Sequence, residues 1–238
     1  MMNEYMSGRK TLRLALWGAT GATGGEVLLQ CLQEPQVDLV RVFTRRLLPE
    51  ENEHVQQVQV DDFLELSAHR NELRGIDVAF WCLGVSQSAV PQEGAYREIT
   101  RDFALAAARA LREESPQAEF YFLSGMGADP KSRLMWARVK GQTEVDLLGL
   151  GLRRVVVVRP SYIYVTRGRT SPSLTDRVWR ALSPALRLWP NLTNTTVDIA
   201  HSMIHCALAG GEANATLSAR DVNRMAGEYR GSRSTAPD

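Results

Sequence analysis

The residues best placed to do chemistry come early, in Gly18-Ala-Thr-Gly21-Ala-Thr-Gly24-Gly25. An apolar run, Leu12–Trp17, precedes them, and Val27, Leu28, Cys31 and Leu32 follow at helical spacing. A strand that turns on glycines into a helix is a pyrophosphate site: one glycine makes the turn, one admits phosphate to the backbone, and one lets helix pack on strand. The helix N-terminus adds open N–H groups and a partial positive charge. Thr20 and Thr23 add hydroxyls within reach of phosphate oxygens. The spacing is G-x-x-G-x-x-G rather than the commoner G-x-G-x-x-G, and a purely structural turn is the alternative reading.

Three further positions fit a dinucleotide. Val37–Phe43 reads as a second strand ending in Thr44-Arg45-Arg46. An acid at that place would hold a ribose 2′-hydroxyl, whereas arginine accommodates a 2′-phosphate, which guanidinium binds bidentately. Two arginines and no acid predict NADP (NADPH) over NAD, with a solvated basic turn as the alternative. Asp62, closing the alternating run Val55–Val60, can accept from an adenine amino group or cap a helix over Phe63–Leu73. Gly84, closing the apolar run Asp77–Leu83, lets backbone lie close to a cofactor.

The elements needed to position these groups follow in order. A long helix is expected from Gln92 to Arg112, with Tyr96, Ile99, Phe103 and Ala107 on one face. Next come a strand Phe120–Ser124, a helix Arg133–Leu148 carrying Trp136 and Lys140, and a strand Val155–Pro160. Strands alternating with helices predict an α/β fold, a Rossmann-type doubly wound parallel sheet with helices on both faces. The expected organisation is a single domain, with a dinucleotide-binding core at 11–160, a small C-terminal substrate or lid segment at 161–226, and tails at 1–10 and 227–238. Within Ser161–Asn194 lie Tyr162, Tyr164, the basic stretch Arg167–Arg169, a helix around Leu174–Leu182 and Pro172, Pro184 and Pro190. A helix is also expected over Asp198–Leu208. Its His201 and His205 stand at i, i+4 without a Glu or Cys to complete a site, so no metal is expected.

Composition excludes several classes. Lys and Arg total 28 against 27 Asp and Glu, which argues against nucleic acid or an anionic membrane as partner. The three cysteines, Cys31, Cys82 and Cys206, are scattered in apolar surroundings and read as reduced core residues. Met1–Lys10 lacks the apolar core of a signal peptide, and no run approaches the roughly 20 apolar residues of a membrane span. The expectation is a soluble, cytoplasmic protein, in which Asn191-Leu-Thr, Asn194-Thr-Thr and Asn214-Ala-Thr match the glycosylation pattern by chance.

Taken in order, Gly18-Ala-Thr-Gly21-Ala-Thr-Gly24, Phe43-Thr-Arg45-Arg46, Cys82-Leu83-Gly84, Leu123-Ser124-Gly-Met-Gly-Ala-Asp129, Val139-Lys140-Gly141 and Arg159-Pro160 resemble the atypical short-chain dehydrogenase/reductases, most closely the Tat-interactive-protein-like branch with its NmrA-like relatives. The resemblance runs from Leu12 to Arg169. It implies an NADP-binding Rossmann fold in which Thr20, Gly21, Ala22 and Thr23 form the pyrophosphate loop. It further implies that Arg45 and Arg46 hold the 2′-phosphate, that Leu83, Gly84 and Pro160 lie beside the cofactor, and that Lys140 lies on the nicotinamide ribose. The pattern departs at the catalytic motif, where Tyr-x-x-x-Lys reads Trp136-Ala-Arg-Val-Lys140. An indole N–H donates only and does not titrate as a phenol does. A second departure is Ser124 followed by Gly125 where relatives carry two serines. Ser124 and Lys140 remain the catalytic candidates, with Tyr162 as a substitute phenol. The expected activity is hydride transfer to an unknown small substrate; the alternative is a non-catalytic NADP-binding sensor with a protein partner. Helix pairing between copies is an expectation by analogy.

Overall fold

In a computed structural model that describes residues 11–49, 51–167 and 193–234, strand β1 (Leu12–Trp17) buries both its faces. Leu12, Leu14 and Leu16 enter one apolar core, and Ala15 and Trp17 enter the other. Side chains alternate across a strand, so two buried sets mean helices on both sides. The same division repeats in β2 (Val37–Thr44), β4 (Val78–Trp81), β5 (Glu119–Leu123) and β6 (Arg154–Arg159). With β3 (Val55–Gln59) and β9 (Ala215–Ser218) they form one sheet of seven strands, ordered β3-β2-β1-β4-β5-β6-β9. Every pairing is parallel.

One helical layer holds α1 (Ala22–Cys31), α5 (Thr196–Ala209) and α6 (Ala219–Ser234). The other holds α3 (Phe103–Glu114) and α4 (Met135–Gly149). On this second face aromatic rings run across the sheet. Trp17 stacks on Phe43 at 4.5 Å and lies 5.5 Å from Trp81. A short parallel ribbon, β7 (Tyr162–Tyr164) with β8 (Thr193–Thr195), stands apart from the main sheet.

Several expectations are corrected. The helix placed over Phe63–Leu73 is two single 3₁₀ turns, Ser67–His69 and Asn71–Leu73. Of this stretch Phe63, Leu66 and Leu73 are buried, which anchors an irregular path but gives no continuous helical stripe. The long helix expected from Gln92 runs from α2 (Glu93–Arg97) through a π turn, Glu98–Asp102, into α3. A π turn inserts a residue, so the buried face advances by one position. Thr100 and Ala104 are buried in place of Ile99 and Phe103, which are half-buried. The tail expected from Gly227 is helix as far as Ser234, where Tyr229 is buried and donates to Glu34 at 2.6 Å. Strand β9 joins the sheet without having been anticipated. The expected helix at 174–182, Arg169, Pro172, Pro184, Pro190, Asn191 and the residues 1–10 and 235–238 lie outside the described residues.

Candidate functional site

The sheet order turns at β1. The chain builds outward through β2 and β3, then returns to place β4 on the other side. A crevice at the carboxyl ends of such strands is where doubly wound sheets take ligands. The registers Trp17 with Phe43, Trp17 with Trp81 and Trp81 with Phe122 bring Gly18, Arg45, Arg46, Leu83, Gly84 and Ser124 to that same edge. Arg159 and Pro160 follow from Leu123 pairing with Val158.

The glycine turn is built by close backbone approach. Gly18 has φ +86°, and a Cβ there would sit 2.6 Å from the carbonyl carbon of Cys82 and the nitrogen of Leu83. A Cβ on Gly24 would sit 2.1 Å from the Gly18 carbonyl oxygen. That oxygen accepts from the Gly21 amide at 2.9 Å, and Gly25 begins the helical ladder by donating to Gly21 at 2.8 Å. Gly21 at the N-cap has no capping side chain, and the first turn holds no acid. The amides of Ala22, Thr23 and Gly24 therefore have no acceptor among the described residues, at the positive end of the helix. Thr20 and Gly21 are exposed and Thr23 half-buried. An oxyanion fits these open donors, and the cradle leaves no room for side chains in its floor.

Arg45 and Arg46 are exposed at the end of β2, and neither guanidinium has a partner among the described residues. The turn beneath them is held by Thr44, whose hydroxyl donates to the Arg46 carbonyl at 2.8 Å. Asp62 accepts from the Leu64 amide at 2.8 Å, which is a capping role, served on an irregular turn. Cys82 is free, and burial pushes its thiol up to about 12; Cys31 is also free and is raised by burial. Both therefore stay protonated and inert at neutral pH.

At the β5 end the arrangement departs from a proton relay. Ser124 is buried, and its hydroxyl donates to Glu144 of α4. Glu144, 3% exposed, also takes Nε and Nη2 of Arg159, at 3.1 Å for each contact from Nε. The single hydroxyl proton of Ser124 is thus directed into the protein. Lys140, one turn before Glu144, donates to the carbonyls of Leu123 at 3.0 Å and Ser124 at 3.3 Å. Burial lowers its ammonium to about 8, partly offset by Glu144. Trp136 lies over the loop that follows. Its ring would stand 3.6 Å from a Cβ on Gly125 and 3.8 Å from one on Gly127. A Cβ at either position would make ordinary van der Waals contact with the indole. Tyr162, half-buried, stands opposite Thr193 in the β7–β8 ribbon.

Sequence reasoning missed Glu144 and its link to Arg159. Its signal was a carboxylate among Ala137, Val139, Gly141, Thr143 and Leu147, all buried on α4. His201 and His205 of α5 pack between helices: His201 Nε2 meets Gln30 Oε1 of α1 at 2.9 Å and its ring lies 4.8 Å from that of Tyr229 of α6, and His205 lies 3.5 Å from Glu228 of α6.

Comparison with known proteins adds relatives to this geometry. No family model matches the chain. Protein HTATIP2 of Rattus norvegicus is 32% identical over 157 residues, which is 65% of this chain and 64% of that protein. The chain thus spans a little under two thirds of this relative. Protein FMP52, mitochondrial, of Saccharomyces cerevisiae is 26% identical over 218 residues, 86% of this chain and 92% of that protein. Among solved structures, MoeE5 in complex with UDP-glucose and NAD superposes with a TM-score of 0.66 at 19% identity, covering 92% of this chain and 82% of that one. DesIV (dTDP-glucose 4,6-dehydratase) from Streptomyces venezuelae, with NAD and TYD bound, gives 0.64 at 17%, covering 94% and 82%. These likenesses establish the Rossmann-like fold. They also correct one expectation: several FMP52 relatives are named mitochondrial, which overturns the cytoplasmic assignment. No helix among the described residues is long and apolar enough to cross a membrane.

Proposed function

We propose that this chain, a relative of the atypical short-chain dehydrogenase/reductases of the Tat-interactive-protein-like branch, is an NADP(H)-binding oxidoreductase working on a small substrate. The observation that carries the reading is the pairing of two anion sites in one crevice: the open amides of Ala22, Thr23 and Gly24, and Arg45 and Arg46, whose guanidinium groups have no partner among the described residues. The first suits a diphosphate and the second a 2′-phosphate. Thr20 and Thr23 add hydroxyl donors, Leu83, Gly84 and Pro160 flank the cofactor, and Lys140 holds the nicotinamide ribose. When bound, the dinucleotide supplies or accepts the hydride. The chain's own part is to bind and orient it and to manage the proton.

The experiment is a titration of NADPH against NADH. Arg45→Ala with Arg46→Ala should weaken NADPH by about a hundredfold, two charge-assisted contacts being lost, and should leave NADH nearly unchanged. Equal losses for both would refute the 2′-phosphate assignment.

A second reading, a cofactor-occupied sensor that turns over little or nothing and signals to a protein partner, draws on the β5 end. Trp136 replaces the phenol, and Ser124 directs its proton to Glu144. Substituting Trp136→Tyr separates the two. A general acid contributes about 10²–10⁴-fold, so this variant should raise carbonyl reduction by that order with NADPH affinity unchanged, read as NADPH consumption across carbonyl and quinone substrates. Brisk carbonyl turnover by the natural protein, unharmed by Trp136→Phe, would remove the case for a missing acid.

A further inference from the structure

Beside the glycine turn lies a cavity of about 180 Å³ lined by Thr20, Gly21, Ala22, Gly25, Glu26 and Leu29 of the turn and α1, together with Arg167. Arg167 comes from the chain that leaves β7, far in sequence from the turn it faces. Its neighbour Thr166 fixes that approach. The Thr166 hydroxyl bonds the Thr196 hydroxyl at 2.7 Å, and its amide donates to the same oxygen at 3.3 Å, tying the segment to the first turn of α5. The Arg167 guanidinium has no carboxylate partner among the described residues.

Glu26 makes this placement informative. It is only 4% exposed and lines the same cavity. Its Oε1 accepts from Gln30 at 2.9 Å, and its Oε2 lies 3.5 Å from the Thr166 hydroxyl. A buried carboxylate beside open helix amides would repel any diphosphate brought there, strongly so where water is scarce. A counter-charge would offset that repulsion, and among the described residues Arg167 is the one basic side chain lining the cavity.

We infer that Arg167 is a third arginine of the dinucleotide site, contacting the diphosphate held at the glycine turn while offsetting the charge of Glu26. The inference rests on the dinucleotide reading given above. It assigns Arg167 a role unlike that of Arg45 and Arg46, because the diphosphate is common to NADPH and NADH. Planar guanidinium suits two phosphate oxygens at once, which an ammonium does not.

The test is a binding titration of the natural chain and of Arg167→Ala, Arg167→Lys and Glu26→Gln, with thermal melts to show that each is folded. Arg167→Ala should weaken NADPH and NADH by the same factor, about ten- to a hundredfold, leaving their ratio unchanged. It should not alter displacement of NADPH by 2′-AMP, which lacks the diphosphate, once the change in NADPH affinity is allowed for. Arg167→Lys should recover part of the loss. Adding Glu26→Gln to Arg167→Ala should recover part as well, since the repelling charge is gone. Unchanged binding by Arg167→Ala, or a loss confined to NADPH, overturns the inference while the dinucleotide reading stands. A natural chain that binds neither nucleotide overturns both.

Discussion

Gly24→Ala is expected to abolish dinucleotide binding and to destabilise the fold by about 3 kcal/mol or more. The added methyl would stand 2.1 Å from the Gly18 carbonyl oxygen, a contact with backbone that no rotamer change relieves. Overpacking of a filled interior costs about 1–3 kcal/mol when side chains can adjust, and here they cannot. Relief requires α1 to move away from β1, and that motion carries the amides of Ala22, Thr23 and Gly24 with it. Denaturant unfolding and NADPH titration read the two effects separately. Gly84→Ala is the matching control, since a Cβ there meets nothing within 4 Å. It should leave stability unchanged, so that any loss of affinity reports the nearness of the cofactor itself. A Gly24→Ala protein of natural stability and affinity would show that the tight turn described here does not exist in solution.

The second large effect is expected at Glu144. Truncation to alanine leaves Arg159 without its counter-ion and Ser124 without an acceptor. Removing one partner of a buried pair typically costs about 3–5 kcal/mol. The lower end applies, because the Arg159 side chain is 35% exposed and water can take up part of its charge. At this chain length a loss of about 3 kcal/mol lowers the melting temperature by about 6–12 °C. Replacing both partners, Glu144→Leu with Arg159→Met, should recover most of it, since well-packed apolar pairs often match buried ion pairs. A double variant no more stable than Glu144→Ala would argue that the ion pair is not the source of the loss. Freeing the Ser124 hydroxyl in the double variant also tests whether its commitment to Glu144 holds carbonyl turnover down.

Much of the frame was legible because parallel strands buried on both faces are nearly continuous apolar runs. Leu12–Trp17 is such a run, and its strand has those bounds. Val78–Trp81 and Arg154–Arg159 are close to what the letters imply. Strand β9 was not legible, since Ala215-Thr-Leu-Ser buries only Leu217. It earns its place by pairing with β6 at the sheet edge, which no local pattern announces. Helix α6 was obscured by Gly227 and Gly231. Yet Val222, Ala226 and Tyr229 already form a stripe at i, i+4, i+7 that tertiary packing favours over glycine's propensity. The π turn is invisible to a fixed 3.6-residue period by construction. In the crevice, residue types revealed the glycine turn and the arginines. They could not reveal that Glu144 takes the Ser124 proton, because Glu144 and Ser124 are 20 positions apart and meet only through packing.

The ribbon of β7 and β8 has its own bearing on how such proteins diversify. Tyr162 pairs with Thr193 and Tyr164 with Thr195 in parallel, so the chain leaves the ribbon at one end and re-enters it at the other. Asn194 ties the ribbon to the body, accepting from the Ser161 amide at 2.8 Å and donating to the Ala219 carbonyl at 3.0 Å. The seven-stranded sheet takes no strand from this ribbon, so an exchange of sequence between Tyr164 and Thr193 is expected to leave its strand register unchanged. Grafting the sequence between Tyr164 and Thr193 from a relative onto this chain tests whether substrate preference, in the oxidoreductase reading proposed above, travels with that stretch.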